Sequence, residues 1–242
     1  MDITSDTHSQ HISRQFNQEL EELKTRLMAM GGLVEKQVQD AVTALLDGDT
    51  RLAERVIDND NQVNAMQIRL DEECTRVLAR RQPAASDLRL VLAVIRAASD
   101  LERIGDEASK IARNAIGLVE SANGSRGFVE VRLISEHVRM MVRDALTSFA
   151  RFDTELALKV VHEDEQVDSE YQSAMRALMT FMMEDARAIS PVLSVMWILR
   201  ALERIGDHAN NLAEYVVYLV KGLDIRHTDP DELDEQSLTR KG

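Results

Sequence analysis

Two carboxylates four residues apart occur twice in this sequence in one identical setting, Leu101-Glu102-Arg103-Ile104-Gly105-Asp106 and Leu202-Glu203-Arg204-Ile205-Gly206-Asp207. At ~100° per residue, each Glu and its Asp stand about 40° apart on a helical wheel. Val91, Ile95 and Ala98 fall within about 40° of Glu102, and Val192, Met196 and Leu199 line up in the same way with Glu203. The acids thus continue an apolar packing stripe, while Arg96, Arg103 and Glu107 read as the wet face of the first helix. A carboxylate on a packing face must be neutralised by a proton, a cation or a basic partner, because burying it bare costs several kcal/mol.

Further oxygen donors lie upstream: Asp60 with Asn64, and Asp164 with Asp168, again four apart. If the helices carrying them pack antiparallel to the Glu-x-x-x-Asp helices, three to four carboxylates converge in each half. Such a point suits a divalent or trivalent cation with oxygen ligands. The bland alternative is solvated acids at helical spacing, or partners for Arg103, Arg113 and Arg204; recurrence in both halves favours the cation reading. Gly105 and Gly206 each cost ~1 kcal/mol relative to alanine in mid-helix. They serve either close backbone approach beside a ligand cluster or tight helix crossing. The halves also differ. The second continues its face with Asn210 and Glu214 and has Asp168, where the first has Ser109, Arg113 and Asn64. The second is expected to bind metal more tightly, with Arg113 standing in part for a cation in the first.

The elements that must position these residues follow from periodicity. Apolar residues recur in steps of three, four or seven almost from end to end, and no comparable stretch alternates with period two. The spacing predicts six helices, at 16–47, 50–82, 86–121, 128–151, 153–186 and 190–222. Asp49 and Asp153 are placed to cap the second and fifth, and Ser190-Pro191 to start the sixth. Residues 121–127 form the one flexible-looking internal linker. The motif identity is joined by two further matches, Asp49-Thr50-Arg51-Leu52-Ala53 with Asp153-Thr154-Glu155-Leu156-Ala157, and residues 60–64 with 164–168. Three matches in one order indicate duplication. The expected fold is all-α, two tandem three-helix bundles at 16–121 and 128–222, with flexible termini at 1–15 and 223–242.

Composition excludes several classes. Ten glycines, three prolines and 4% aromatics supply too few turns and strand formers for a sandwich or barrel. A net charge of −13 opposes nucleic-acid binding. The single cysteine, Cys74, leaves no disulfide framework or thiolate cluster. The opening residues are polar and acidic without a basic region before an apolar stretch, so no secretory leader is expected. Apolar runs such as 91–95 and 215–220 fall far short of the ~20 residues a membrane span needs. A soluble, cytoplasmic protein without membrane insertion is expected.

Other chemistry is sparse. There is no phosphate loop, dinucleotide glycine motif, His-Glu-x-x-His or Glu-x-x-His. His208 points about 100° away from Asp207 and reads as a surface or interface histidine, and His162 is no better placed as a ligand. Cys74, without a nearby histidine, reads as an unreactive packed thiol. The methionines, Met140-Met141 and Met182-Met183 among them, and Trp197 are expected in the core.

The two Leu-Glu-Arg-Ile-Gly-Asp motifs, Pro83-Ala84-Ala85-Ser86-Asp87-Leu88-Arg89, and Gly206-Asp207-His208-Ala209-Asn210-Asn211-Leu212-Ala213-Glu214 together resemble the PhoU family across essentially the whole chain. The resemblance implies a cytoplasmic helical protein, often a homodimer, that negatively regulates the phosphate-starvation response and modulates phosphate uptake. It implies an adaptor between the phosphate ABC transporter, through its PstB-type ATPase, and a PhoR-type sensor histidine kinase. It further implies multinuclear iron or zinc clusters on Asp60, Asn64, Glu102, Asp106, Asp164, Asp168, Glu203 and Asp207. From the residues alone, iron, manganese, magnesium or zinc would suit, with the second repeat favoured. No catalytic residue is assigned. The alternatives to an adaptor are a metal-dependent hydrolase and a metal store or helical spacer.

Overall fold

The computed structural model describes residues 3–120 and 128–225, with side chains from 14 to 120 and from 129 to 225. Six α-helices follow in order: α1 (Ile3–Asp47), α2 (Thr50–Arg81), α3 (Ala85–Glu120), α4 (Phe128–Arg151), α5 (Thr154–Glu184) and α6 (Ile189–Lys221). No strand occurs among the described residues. The protein is all-α, as the periodicity requires.

Local chemistry sets the boundaries. Asp49 caps α2 by accepting from Leu52 N, and Asp153 caps α5 by accepting from Glu155 N and Leu156 N. The residue before each cap takes a left-handed or adjoining turn: Gly48 has φ +67°, and Phe152, its counterpart in the duplication, has φ 55°. α6 starts differently from expectation. Asp185 accepts from Arg187 N and opens a single 3-10 turn at Ala186–Ala188, which runs into α6 at Ile189. Ser190 and Pro191 therefore lie inside the first turn, where a missing proline N–H is harmless, and the serine does not act as the cap. α1 also begins at Ile3, so helix extends into a segment without apolar periodicity. The linker at 121–127 and the acidic tail at 229–235 lie outside the described residues.

Within each half, three helices bury one stripe against their neighbours. In α1 the stripe is Leu23, Leu27, Met30, Val34, Val38 and Ala41. In α3 it is Val91, Val94, Ala98, Leu101, Ile104 and Ala108, and α6 repeats it with Val192, Val195, Leu199, Leu202, Ile205 and Ala209. The halves join along two antiparallel contacts. Leu146 of α4 packs onto Gly31 of α1, with Arg143 reaching Glu35 at 3.1 Å further along. α3 and α6 cross as the central pair: Arg89 reaches the α6 cap Gly222, Asp100 bonds Asn211, and Arg204 meets Glu107 at 3.1 Å.

The central position of α3 and α6 gives each a second packing face, and two sequence expectations change there. Glu107, read as solvent-facing, is only 4% exposed, held beneath α6 by Arg204 and Lys110. His208, read as a surface or interface histidine, takes the interface place and is buried between the repeats. Trp197 lies about 120° from the Glu203 stripe and turns out to solvent, 65% exposed, beside the exposed Leu193 and Ile189. The methionines divide by face as well: Met141 is buried, whereas Met140 and Met183 are exposed. No helix among the described residues is long and apolar enough to cross a membrane.

Candidate metal centre

In the second half, α5 carries Asp164 and Asp168, and α6 carries Glu203 and Asp207 one turn apart. Antiparallel packing of the two helices brings the pairs together. One carboxylate oxygen from each of Asp168, Glu203 and Asp207 lies within 4.8 Å of the others. Asp164 stands beside them. Burial, followed by the charges of Asp207, Asp168 and Glu203, pushes its carboxyl up to about 7. Burial and the Asp207 charge raise Glu203, and burial with the Asp168 charge raises Asp207. Each of these shifts comes first from burial and then from the neighbouring carboxylates, whose charge the nearby arginines offset only in part.

Partners satisfy only part of this set. Arg200 bonds Glu203 through Oε1, while Oε2 is buried and unpartnered. Asn210, one turn beyond Asp207, donates from Nδ2 to Asp164 Oδ2 at 3.2 Å and leaves its own buried Oδ1 unpartnered. Arg204 turns away to Glu107. The residue set fits a cation: hard oxygen donors, three of them converging, with excess negative charge and buried acceptors left without partners.

The first half repeats the plan with less charge. Asp60 on α2 faces Glu102 and Asp106 on α3, and Asn64 lies one turn along α2 from it. Burial and then the charges of Asp106 and Asp60 raise Glu102; burial and then Asp60 raise Asp106. Asp60 Oδ1 and Asn64 Oδ1 are buried without partners. No three acid oxygens converge as tightly here among the described residues. Arg113, expected to stand in for a cation, is exposed and forms no ion pair with the cluster; its charge only modestly opposes the rise at Asp106.

The glycines sit where these helices touch. A Cβ on Gly105 would lie 3.3 Å from Gln37 Oε1, tighter than ordinary contact, and 3.5 Å from Asp60 Oδ1. At Gly206 it would meet Val167 at 3.6 Å and Asp164 Oδ1 at 3.7 Å, which a methyl group tolerates. Close crossing and the ligand cluster thus coincide at both, and only the first is cramped.

Two groups were not legible as functional. Gln37 is a lone polar residue beside the apolar stripe of α1, and that interruption was the available signal. Asp100 lies about 160° from Glu102 on the wheel, on the face a single-stripe reading leaves to solvent. It is 3% exposed and accepts from His208 Nδ1 at 2.9 Å, Asn211 Nδ2 at 3.1 Å and the Tyr215 hydroxyl at 2.7 Å.

Comparison with known proteins decides the family. The family model described as PhoU domain matches the chain twice, at residues 27–115 and 131–216. The chain belongs to the PhoU family. A PhoU homolog of Pseudomonas aeruginosa, named a phosphate-specific transport system accessory protein, is 56% identical over 240 residues, covering 99% of each chain. The Escherichia coli K12 PhoU protein of the same name is 46% identical, covering 94% of each. The crystal structure of Pseudomonas aeruginosa PhoU has a TM-score of 0.85 at 60% identity, covering 86% of this chain and all of that one. That of Streptococcus pneumoniae PhoU, a phosphate transport system regulatory protein, has 0.80 at 29% identity, covering 86% and 98%. The PhoU repeats are helical bundles in which the paired acids fall on the facing surfaces of second and third helices.

Proposed function

We propose that this PhoU protein is a phosphate-transport accessory protein that acts as an adaptor and negative regulator of the phosphate-starvation response. In this reading it couples a PstB-type transporter ATPase to a PhoR-type sensor histidine kinase in the cytoplasm and holds the kinase inactive when phosphate is plentiful. A homodimer would present two copies of each helical surface. The observation that carries the proposal is near full-length relationship, at 56% and 46% identity, to proteins named as accessories of phosphate-specific transport.

Cations enter as stabilisers. Asp164, Asp168, Glu203 and Asp207 would hold one in the second repeat, and Asp60, Asn64, Glu102 and Asp106 one in the first. A bound ion would supply the positive charge that these acids lack and so fix the α5–α6 and α2–α3 packing. Oxygen ligands suit iron, manganese or magnesium, and zinc less well. The orphaned buried oxygens of Glu203, Asp60 and Asn64 support this reading.

The decisive experiment places the chain in a host lacking its own PhoU and carrying a phosphate-starvation reporter. Repression in high phosphate, with capture of the kinase and the ATPase on the purified protein, is expected. A reporter that stays active despite normal expression would defeat the adaptor reading. Phosphoester hydrolysis with Mn²⁺ should remain at background; metal-dependent turnover lost on Asp207→Asn would favour the hydrolase instead.

A further inference from the structure

Gln37 is 2% exposed in the core of the first repeat. Its Nε2 points at three acceptors: Val56 O at 3.2 Å on α2, and Ser109 Oγ at 3.4 Å and Gly105 O at 3.5 Å on α3. A carbonyl oxygen turned toward those backbone oxygens would repel them, so the acceptors fix which way round the amide stands. Oε1 therefore faces the gap beside Gly105, buried and without a partner. Asp60 Oδ1, also buried and unpartnered, opens on the same gap. Asn64 Oδ1, one turn along α2 from Asp60, is likewise buried and unpartnered. Two buried lone-pair oxygens from different helices, Gln37 Oε1 and Asp60 Oδ1, thus face one another's neighbourhood without a donor bonded to either, an arrangement that suits a positive charge.

We propose that Gln37 is a ligand of the first repeat's cation site, adding a neutral oxygen from α1 to the acids of α2 and α3. The proposal rests on the cation reading given above and extends it to a residue outside the paired-acid motifs. The second repeat has no counterpart: Val138 of α4 faces Gly206 where Gln37 faces Gly105. Its site draws on α5 and α6 alone. The first repeat offers amide oxygens from Gln37 and Asn64 with the carboxylates of Asp60, Glu102 and Asp106, a set of lower charge. Such a set selects a hard divalent cation of the Mg²⁺, Mn²⁺ or Ca²⁺ class over a trivalent one, and ties all three helices of the first repeat together when it binds.

The test uses the full chain with the second site disabled by Glu203→Gln and Asp207→Asn. Mn²⁺ binding is followed by the paramagnetic resonance of the free ion, and unfolding is followed in chelator. Gln37→Met keeps the length and apolar packing of the side chain and should weaken Mn²⁺ by about tenfold or more. Gly105→Ala sets a methyl group against Gln37 Oε1 and Asp60 Oδ1 and should weaken Mn²⁺ by about tenfold or more, with the unfolding temperature in chelator showing what the crowding itself costs. If both variants bind Mn²⁺ within about twofold of the parent while Asp106→Asn weakens it, the role of Gln37 is overturned and the cation reading stands. If the unmodified chain takes up no Mn²⁺ at either cluster, the cation reading itself falls.

Discussion

Asp100 of α3 and His208 of α6 meet across the junction of the two repeats, Oδ1 to Nδ1 at 2.9 Å, both sealed from solvent. Asn211 and Tyr215 donate to the same carboxylate. Burial and the neighbouring Asp100 charge hold the Tyr215 hydroxyl well above its ordinary range, so it remains a donor. The bond ties the third helix of one repeat to the third helix of the other, on faces opposite to the paired acids.

Removing this carboxylate strands three donors in a dry interface. Asp100→Ala should cost about 3–5 kcal/mol, because each stranded donor loses about 1–3 kcal/mol. Asp100→Asn should cost less, since one oxygen still accepts. Urea unfolding checks both; a loss below about 1 kcal/mol for the alanine variant would mean that the junction is held by apolar packing alone.

The paired acids make metal-free stability depend on pH. Asp164 lies near 7 and Glu203, Asp207, Glu102 and Asp106 are all raised above their unfolded values. The folded chain then holds more protons than the unfolded chain between roughly pH 4 and 7. Stability is fullest below that window and declines as pH rises through it. Glu19, lowered chiefly by its bond to Arg81, works in the opposite sense and only at lower pH. Thermal scans in chelator should show the unfolding temperature falling from about pH 5 to about pH 8, with stabilisation by added Mn²⁺ growing over the same range. A flat profile would mean that these acids are solvated.

The two repeats should not respond alike to loss of their acids. Glu203→Gln with Asp207→Asn should remove the tighter class of bound metal, whereas Glu102→Gln with Asp106→Asn should remove the weaker. Isothermal titration separates the classes. Equal losses would contradict the asymmetry argued from Asn64, Asp168 and the tighter convergence around Glu203.

Cys74 should be inert in the native protein. Burial pushes its thiol up to about 12, with Asp71 and Glu73 adding to the rise. Reaction with a disulfide reagent should therefore wait on unfolding, and prompt labelling without denaturant would show that α2 opens.

The helix register was legible because apolar spacing, aspartate caps and an exact six-residue repeat all point one way. That Glu102, Asp106, Glu203 and Asp207 share a packing stripe with Val91 and Val192 followed from the wheel, and they do face the acids of α2 and α5. What the wheel hid came from position in the bundle. α3 and α6 are covered on two faces, so Glu107 and Asp100 are buried where one stripe predicts water. Gln37 was hidden because its meaning depends on Gly105 and Asp60, residues far away in sequence that only packing brings near. The start of α6 was misjudged because Ser190-Pro191 suits a helix start, whereas Asp185 satisfies the backbone one turn earlier.

The most direct measurement is anomalous diffraction from crystals of the full chain grown with Mn²⁺. A peak is expected between α5 and α6 among Asp164, Asp168, Glu203 and Asp207, with a second, weaker one beside Gly105. Clean density at both clusters, with the carboxylates turned to solvent, would contradict the claim that the duplicated acids hold cations.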